Sequence, residues 1–324
     1  MNQSIRRICL TATAACGLLL SSASAQTTAT TDPVGAKQVT IPAGNYPFSP
    51  VFVHANSFVG DISGLSESSG KTTVVLSGAS FSPDEFAQGS FVRYYLEITS
   101  VPGDSSLEGY GFDIATNSSS AVTVYGLLDS GFGIPSGSSV VIRKHMTISD
   151  VFENAEASLT AFGDSVKFFN DDGSSISLFY TGNAWSSDFS TDESDFPVYP
   201  GSGFLTVFSS EISFSPTGSV KTTKTKIPVY AGALNFVGSL APQDTIAGDL
   251  GYQQSFLPFG DSAKLFTLDG NLGNITSLFA ISDSTVSTDF STSANDMPIE
   301  GETSRLVSVG SDKYLTIPPA FQDQ

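Results

Sequence analysis

Asp164, Asp188 and Asp195 return as Asp261, Asp289 and Asp296, in the same order and with similar neighbours, 97, 101 and 101 residues further on. Carboxylates repeated in this way could supply oxygen ligands to a hard cation, with calcium the natural choice, or the acid and base of a glycoside hydrolase. Each also opens a turn: Gly-Asp-Ser before a strand, Asp-Phe-Ser-Thr, and Asp-x-Pro. Short carboxylates in such places bond to backbone N–H groups two or three residues on. Catalytic carboxylates are expected to differ, with one pKa raised and the other not, and matched surroundings argue against that. Turn chemistry is therefore the favoured reading and a cation site the alternative. Asn170-Asp171-Asp172-Gly173 lacks the alternating ligands and closing Glu of a calcium loop.

The other reactive side chains are few. His54 and His145 are the two histidines, and neither sits in a Ser-His-acid pattern. His145 ends the basic run Arg143-Lys144-His145, and Asp150 is the acid with which it could pair. The single tryptophan, Trp185, lies in a predicted loop, Gly182–Ser187, and is the candidate ligand contact by ring stacking. The 25 phenylalanines, against ten tyrosines, read as core material. Lys221, Lys224 and Lys226 alternate as charges do on a protected sheet edge.

The paired aspartates belong to a longer duplication. Phe162-Gly163-Asp164-Ser165 matches Phe259-Gly260-Asp261-Ser262, Ser177-Leu178-Phe179 matches Ser277-Leu278-Phe279, and Asp188-Phe189-Ser190-Thr191 matches Asp289-Phe290-Ser291-Thr292. An ordered series with a drifting offset is a duplication with small insertions. Most of the added length falls at Asp269–Asn274, where the first copy has Asn170-Asp171-Asp172-Gly173, so each copy should turn there as a hairpin. Val166 and Phe168 should face one side of it, with Lys167 and Phe169 on the other.

A second match aligns Ile41-Pro42 with Ile227-Pro228, and Phe48 and Gly60-Asp61 with Phe236 and Gly248-Asp249. It divides the chain into residues 34–63, the first half of one β unit; 64–148, an inserted module; 149–218, the unit's second half; and 219–324, a second unit without the insertion. In the insertion, five β-branched or aromatic runs (72–77, 91–100, 109–115, 121–127 and 139–144) are separated by Pro-Gly-Asp, Asn-Ser and Pro-Ser-Gly turns. Short, closely spaced strands of this kind predict a small barrel or capped sandwich. Residues 145–161 are the one helical candidate, with Ser149-Asp150 as its cap. The predicted fold is all-β: two duplicated sandwich- or barrel-like units, the first interrupted by a small barrel-like module.

Residues 1–25 read as a signal peptide: Arg6-Arg7, an apolar stretch, and Ala23-Ser24-Ala25 as the cleavage site. A Thr-rich leader, 26–33, should be disordered. Cys9 and Cys16 both fall in the signal, so the remainder can form no disulfide; lipidation at Cys16 is the alternative fate of that residue. Without Arg6 and Arg7, 12 of the 14 basic residues remain against 32 acidic ones, a net charge of −20. That balance disfavours nucleic acid and anionic surfaces, and no transmembrane span is expected after cleavage.

The runs Tyr95-Leu96-Glu97-Ile98-Thr99-Ser100, Glu108-Gly109-Tyr110-Gly111-Phe112-Asp113-Ile114 and Val141-Ile142-Arg143-Lys144-His145-Met146-Thr147 accompany the Phe-Gly-Asp-Ser copies and Thr31-Asp32-Pro33-Val34-Gly35. With these the chain resembles a family of uncharacterised secreted bacterial proteins that bear signals, are β-rich and often occur as paralogues. The resemblance implies no activity, cofactor or catalytic residue. The expectation is an exported or cell-surface structural or interaction protein without catalysis, whose partner is an extracellular glycan or another envelope protein. A carbohydrate- or calcium-binding module and a carboxylate-based polysaccharide hydrolase are the alternatives.

Overall fold

The computed structural model describes residues 33–266 and 275–320. The signal, both cysteines, most of the leader and the tip at 269–274 lie outside the described residues. The described chain is β throughout except for one short α-helix and a few 3-10 turns.

The duplication is a duplication of sheets. In the first copy, antiparallel strands lie in the order Trp185–Ser186, Ser175–Tyr180, Ser165–Phe169, Phe204–Phe208, Gly44–Phe48. The second copy repeats that order with Thr285–Ser287, Ile275–Ser282, Ser262–Phe266, Arg305–Ser308, Asn235–Val237. Registers agree as well: Ser165 faces Phe179 as Ser262 faces Phe279, and Lys167 faces Leu205 as Lys264 faces Leu306. Each hairpin follows the alternation of its sequence. Val166 is buried and Phe168 packs on the core, while Phe169 turns the other way to stack on Phe236 at 5.3 Å.

Two details of the alignment change. Phe48 faces Phe204 and Val237 faces Arg305, so the counterpart of Phe48 is Val237, one residue beyond Phe236. A one-residue slip of this kind is invisible when both candidates are apolar. Gly60-Asp61 is not equivalent to Gly248-Asp249: the former pairs with Val140 and Ser139 in the barrel, the latter sits in a 3-10 turn. The counterpart of that turn is the helix Ile148–Phe152. Both follow a short strand pair, Met146–Thr147 with Pro197–Val198 and Thr245–Ile246 with Pro298–Ile299. The helix is capped by Thr147 rather than by Ser149-Asp150. Thr147 accepts from the N–H of Asp150, whose carboxylate returns to the N–H of Thr147.

Between Gly44–Phe48 and Met146–Thr147 stands a closed six-stranded barrel, in the order Asn56–Ser68, Lys71–Leu76, Ala121–Tyr125, Gly111–Asn117, Tyr94–Ser100, Ser139–Lys144. Its sixth strand, Asn56–Ser68, begins eight residues before the insertion read from the sequence. That strand closes the barrel by pairing with Ser139–Lys144 through its first half and with Lys71–Leu76 through its second. Leu96, Ile98, Phe112, Ile114, Val122, Val124, Val140 and Ile142 fill the interior. Asn56 and Arg143 are register partners, so the chain enters and leaves the barrel side by side.

The first copy, the second copy and the barrel each have a separate hydrophobic cluster. The two copies meet reciprocally. Gly203 N–H donates to the Phe236 carbonyl at 2.7 Å, and Ser304 N–H to the Pro47 carbonyl at 3.0 Å. Gly238 N–H donates to the Gly201 carbonyl at 2.7 Å, and Ser49 N–H to the Glu302 carbonyl at 2.8 Å. Each bond is the image of its partner under exchange of the copies, the relation that a two-fold axis imposes on a symmetric dimer.

The barrel is tied to this frame by a buried ion cluster. Glu97 accepts from Lys221 Nζ at 2.5 Å and lies 3.5 Å from Arg143 Nε, and all three side chains are almost wholly buried. Lys224 pairs with Glu108 at 3.1 Å, and Lys226 Nζ lies 4.7 Å above the Tyr110 ring. The three lysines thus reach across to the barrel instead of guarding an open edge.

Candidate functional site

The repeated motifs build the same surface feature twice. In the first copy, the N–H groups of Gly163 and Asp164 both donate to the Thr160 carbonyl, and Asp164 Oδ2 takes the N–H of Thr160 in return at 2.8 Å. Asp164 Oδ1 accepts from the N–H and hydroxyl of Ser209 at 2.7 and 2.8 Å. In the second copy, Leu257 replaces Thr160, Gly310 replaces Ser209, and Lys313 adds an ion pair to Asp261 at 2.5 Å. Both carboxylates are fully buried. Burial opposes the charge of Asp261, but the N–H bonds from Leu257 and Gly310 and the Lys313 ammonium outweigh it and hold the carboxyl below its ordinary range.

The second motif is another staple. Asp188 Oδ1 accepts the N–H groups of Thr191 at 2.7 Å and Ser190 at 2.8 Å. Asp289 does the same with Thr292 at 2.7 Å and Ser291 at 2.9 Å. These backbone bonds hold both carboxyls well below the usual carboxylate range. All four of these carboxylates are occupied in closing turns. Asp195 is exposed, and among the described residues no group of three or more His, Cys, Asp or Glu side chains could hold a metal ion.

What the staples hold outward is phenylalanine. Phe162 and Phe259, inside the first turn, have φ of 60°; Phe189 and Phe290, inside the second, have φ of 64° and 65°. Bulky side chains rarely adopt this region, and each such residue costs about 1–3 kcal/mol. These four are also the exposed phenylalanines among the described residues, at 65, 64, 52 and 46 % in the order just given. Phe162 meets Phe189 with ring centroids 6.1 Å apart, and Phe259 meets Phe290 at 6.0 Å. The third repeated motif supplies a half-buried ring beneath: Phe179 lies 4.7 Å from Phe189, and Phe279 lies 4.2 Å from Phe290. Three matched motifs thus converge on one three-ring display per copy. The feature was visible in the sequence as repeated phenylalanine, but composition alone assigned those residues to the core.

The remaining candidates lie elsewhere. Trp185 is 1 % exposed and packs on Phe152 and Tyr180 in the first core, because within the segment read as a loop Trp185–Ser186 is the edge strand of the sheet. A contact between Trp185 and a ligand is not open to it there. His145 does not pair with Asp150. Its Nε2 lies 3.0 Å from Asp113, across the barrel strands, and Asp150 is taken by His54 at 3.0 Å. Burial opposes the charge of Asp150, yet the bonds from His54 and Thr147 prevail and hold its carboxyl well below the ordinary range.

Compared with protein-family models, curated proteins and solved structures, the chain has no match in any of the three.

Proposed function

We propose that this is an exported, non-enzymatic interaction protein that engages its partner through the two phenylalanine displays. The reading accords with the resemblance to secreted, β-rich bacterial proteins and with the basic, apolar, small-residue order of residues 1–25. The observation that carries it is the coincidence of strain and exposure at Phe162, Phe189, Phe259 and Phe290. Glycine would adopt these backbone angles without the Cβ penalty, and a polar side chain would be better solvated. Strained, solvated apolar rings kept in both copies are the mark of a surface that meets something.

Two like sites on one chain suit a repetitive partner, such as an envelope surface, where the second contact forms at high effective concentration. The acidic balance of the chain favours a partner that is neutral or basic. The test is co-sedimentation of the secreted chain with purified bacterial envelopes and with insoluble polysaccharide, comparing the native protein with variants that lack one or both displays.

A further inference from the structure

A cleft of about 750 Å³ opens where the barrel and the two copies meet, within the roughly 300–1,000 Å³ typical of small-molecule sites. It is separate from the phenylalanine displays and shares no lining residue with them. The barrel contributes Asp113, Tyr125 and His145, the first copy Tyr199, and the second copy Lys226 and Tyr314. We infer that this cleft binds a neutral oligosaccharide.

The walls exclude other ligand classes in turn. A hydrocarbon chain would strip water from Asp113, Asp171 and Asp172 without returning a hydrogen bond. An anion would meet those carboxylates against two lysines, of which Lys221 is engaged by Glu97 and Lys226 lies over the Tyr110 ring. A nucleotide or a uronic-acid sugar is therefore a poor fit. A metal ion lacks a converging set of ligands among the described residues.

A pyranose ring presents one C–H face and an edge of hydroxyls, and the cleft presents the complements of both. Tyr125, Tyr199 and Tyr314 line it at 38, 43 and 39 % exposure, and they offer rings to C–H faces and phenol hydroxyls to the water beyond. Asp113 is the fixed acceptor. One of its oxygens lies 3.0 Å from His145 Nε2, and the other accepts from the Tyr199 hydroxyl at 2.9 Å. The His145 ring is in turn held between Tyr95 and Tyr199, with both centroid distances 4.7 Å. A carboxylate positioned in this way retains lone pairs for sugar hydroxyls. Glu300 is a carboxyl group pushed up by burial, and it does not line the cleft.

The test is calorimetric titration of the full secreted chain with soluble cello-, chito-, malto- and manno-oligosaccharides, with oligogalacturonate as the anionic control. At least one neutral series should bind. Tyr125→Ala, Tyr314→Ala and Asp113→Asn should each weaken it about tenfold or more. Val59→Ser, at an exposed position of the barrel away from the cleft, should leave it unchanged. Tyr125→Ala, at the exposed rim, provides a variant that the core does not feel, and melting curves check the others. Absence of binding by every neutral series, equal binding of oligogalacturonate, or binding indifferent to the cleft variants would overturn the inference.

Discussion

Gly203 and Ser304 occupy the same position in the two copies, and they touch each other. A Cβ on Gly203 would lie 2.3 Å from the Cβ of Ser304. The neighbouring pair behaves alike: a Cβ on Gly238 would lie 2.0 Å from the hydroxyl of Ser49, its own counterpart. Residues that meet their own equivalents lie on the internal two-fold relation of the molecule. In a dimer of identical chains such a position must suit two copies of one residue. Within a single chain it can diverge to one glycine and one serine.

This geometry predicts the effect of Gly203→Ala. The added methyl has no room, and overpacking of this kind costs about 1–3 kcal/mol. The reciprocal exchange, Gly203→Ser with Ser304→Gly, should restore most of the loss. Urea unfolding of the three proteins measures it, and an exchange no more stable than Gly203→Ala would show that the two positions are not coupled.

Phe162 should contribute little to stability. Phe162→Gly removes a ring contact worth about 0.5–1.5 kcal/mol but also relieves a left-handed residue costing about 1–3 kcal/mol, so the variant should lose no more than about 0.5 kcal/mol. Phe204→Ala, in the first core, should cost about 3–5 kcal/mol. Parallel thermal melts decide it; a large loss at Phe162 would make the display a structural device.

The displays should persist in acid. Asp188 and Asp289 have carboxyl pKa values lowered in the folded chain. Their contribution is present above the unfolded value of about 3.9 and is lost as pH falls through the lower folded value. Contacts between Phe162 and Phe189 protons, followed by NMR, should therefore survive at pH 4 and fade only below it. Loss of the contacts between pH 6 and 5 would remove the staple from the account.

Glu97→Ala should be among the most destabilising substitutions, at about 3–5 kcal/mol, because it strands Lys221 and Arg143 without their shared carboxylate. Replacing all three by apolar residues of similar volume should cost much less. Urea midpoints of the two variants provide the comparison, and equal losses would contradict it.

Much of this architecture was legible because duplication writes the same physics twice. The hairpin at Asn170–Gly173, the common strand order and the apolar alternation of the barrel all follow from turn residues and period-two patterns. Asn56–Ser68 was missed because a strand that pairs on both sides carries Gly60, Gly64 and several serines, and so reads as loop. The displays were missed for another reason. Phenylalanine in a β protein signals core, and backbone angle and exposure appear only once the turns are closed. His145 and Asp113 lie 32 residues apart, and strand register alone brings them together.

Affinity for a repetitive surface is the most direct test of the displays. Labelled chain should sediment with envelopes or insoluble polysaccharide. Removing one display by Phe162→Ser with Phe189→Ser should lower apparent affinity about 100-fold, within the range by which a second linked contact raises avidity. Removing the equivalent pair at Phe259 and Phe290 should have the same effect, and removing both should abolish retention. If the protein without either display sediments as the native chain does, its partner is held elsewhere and the proposed function is wrong.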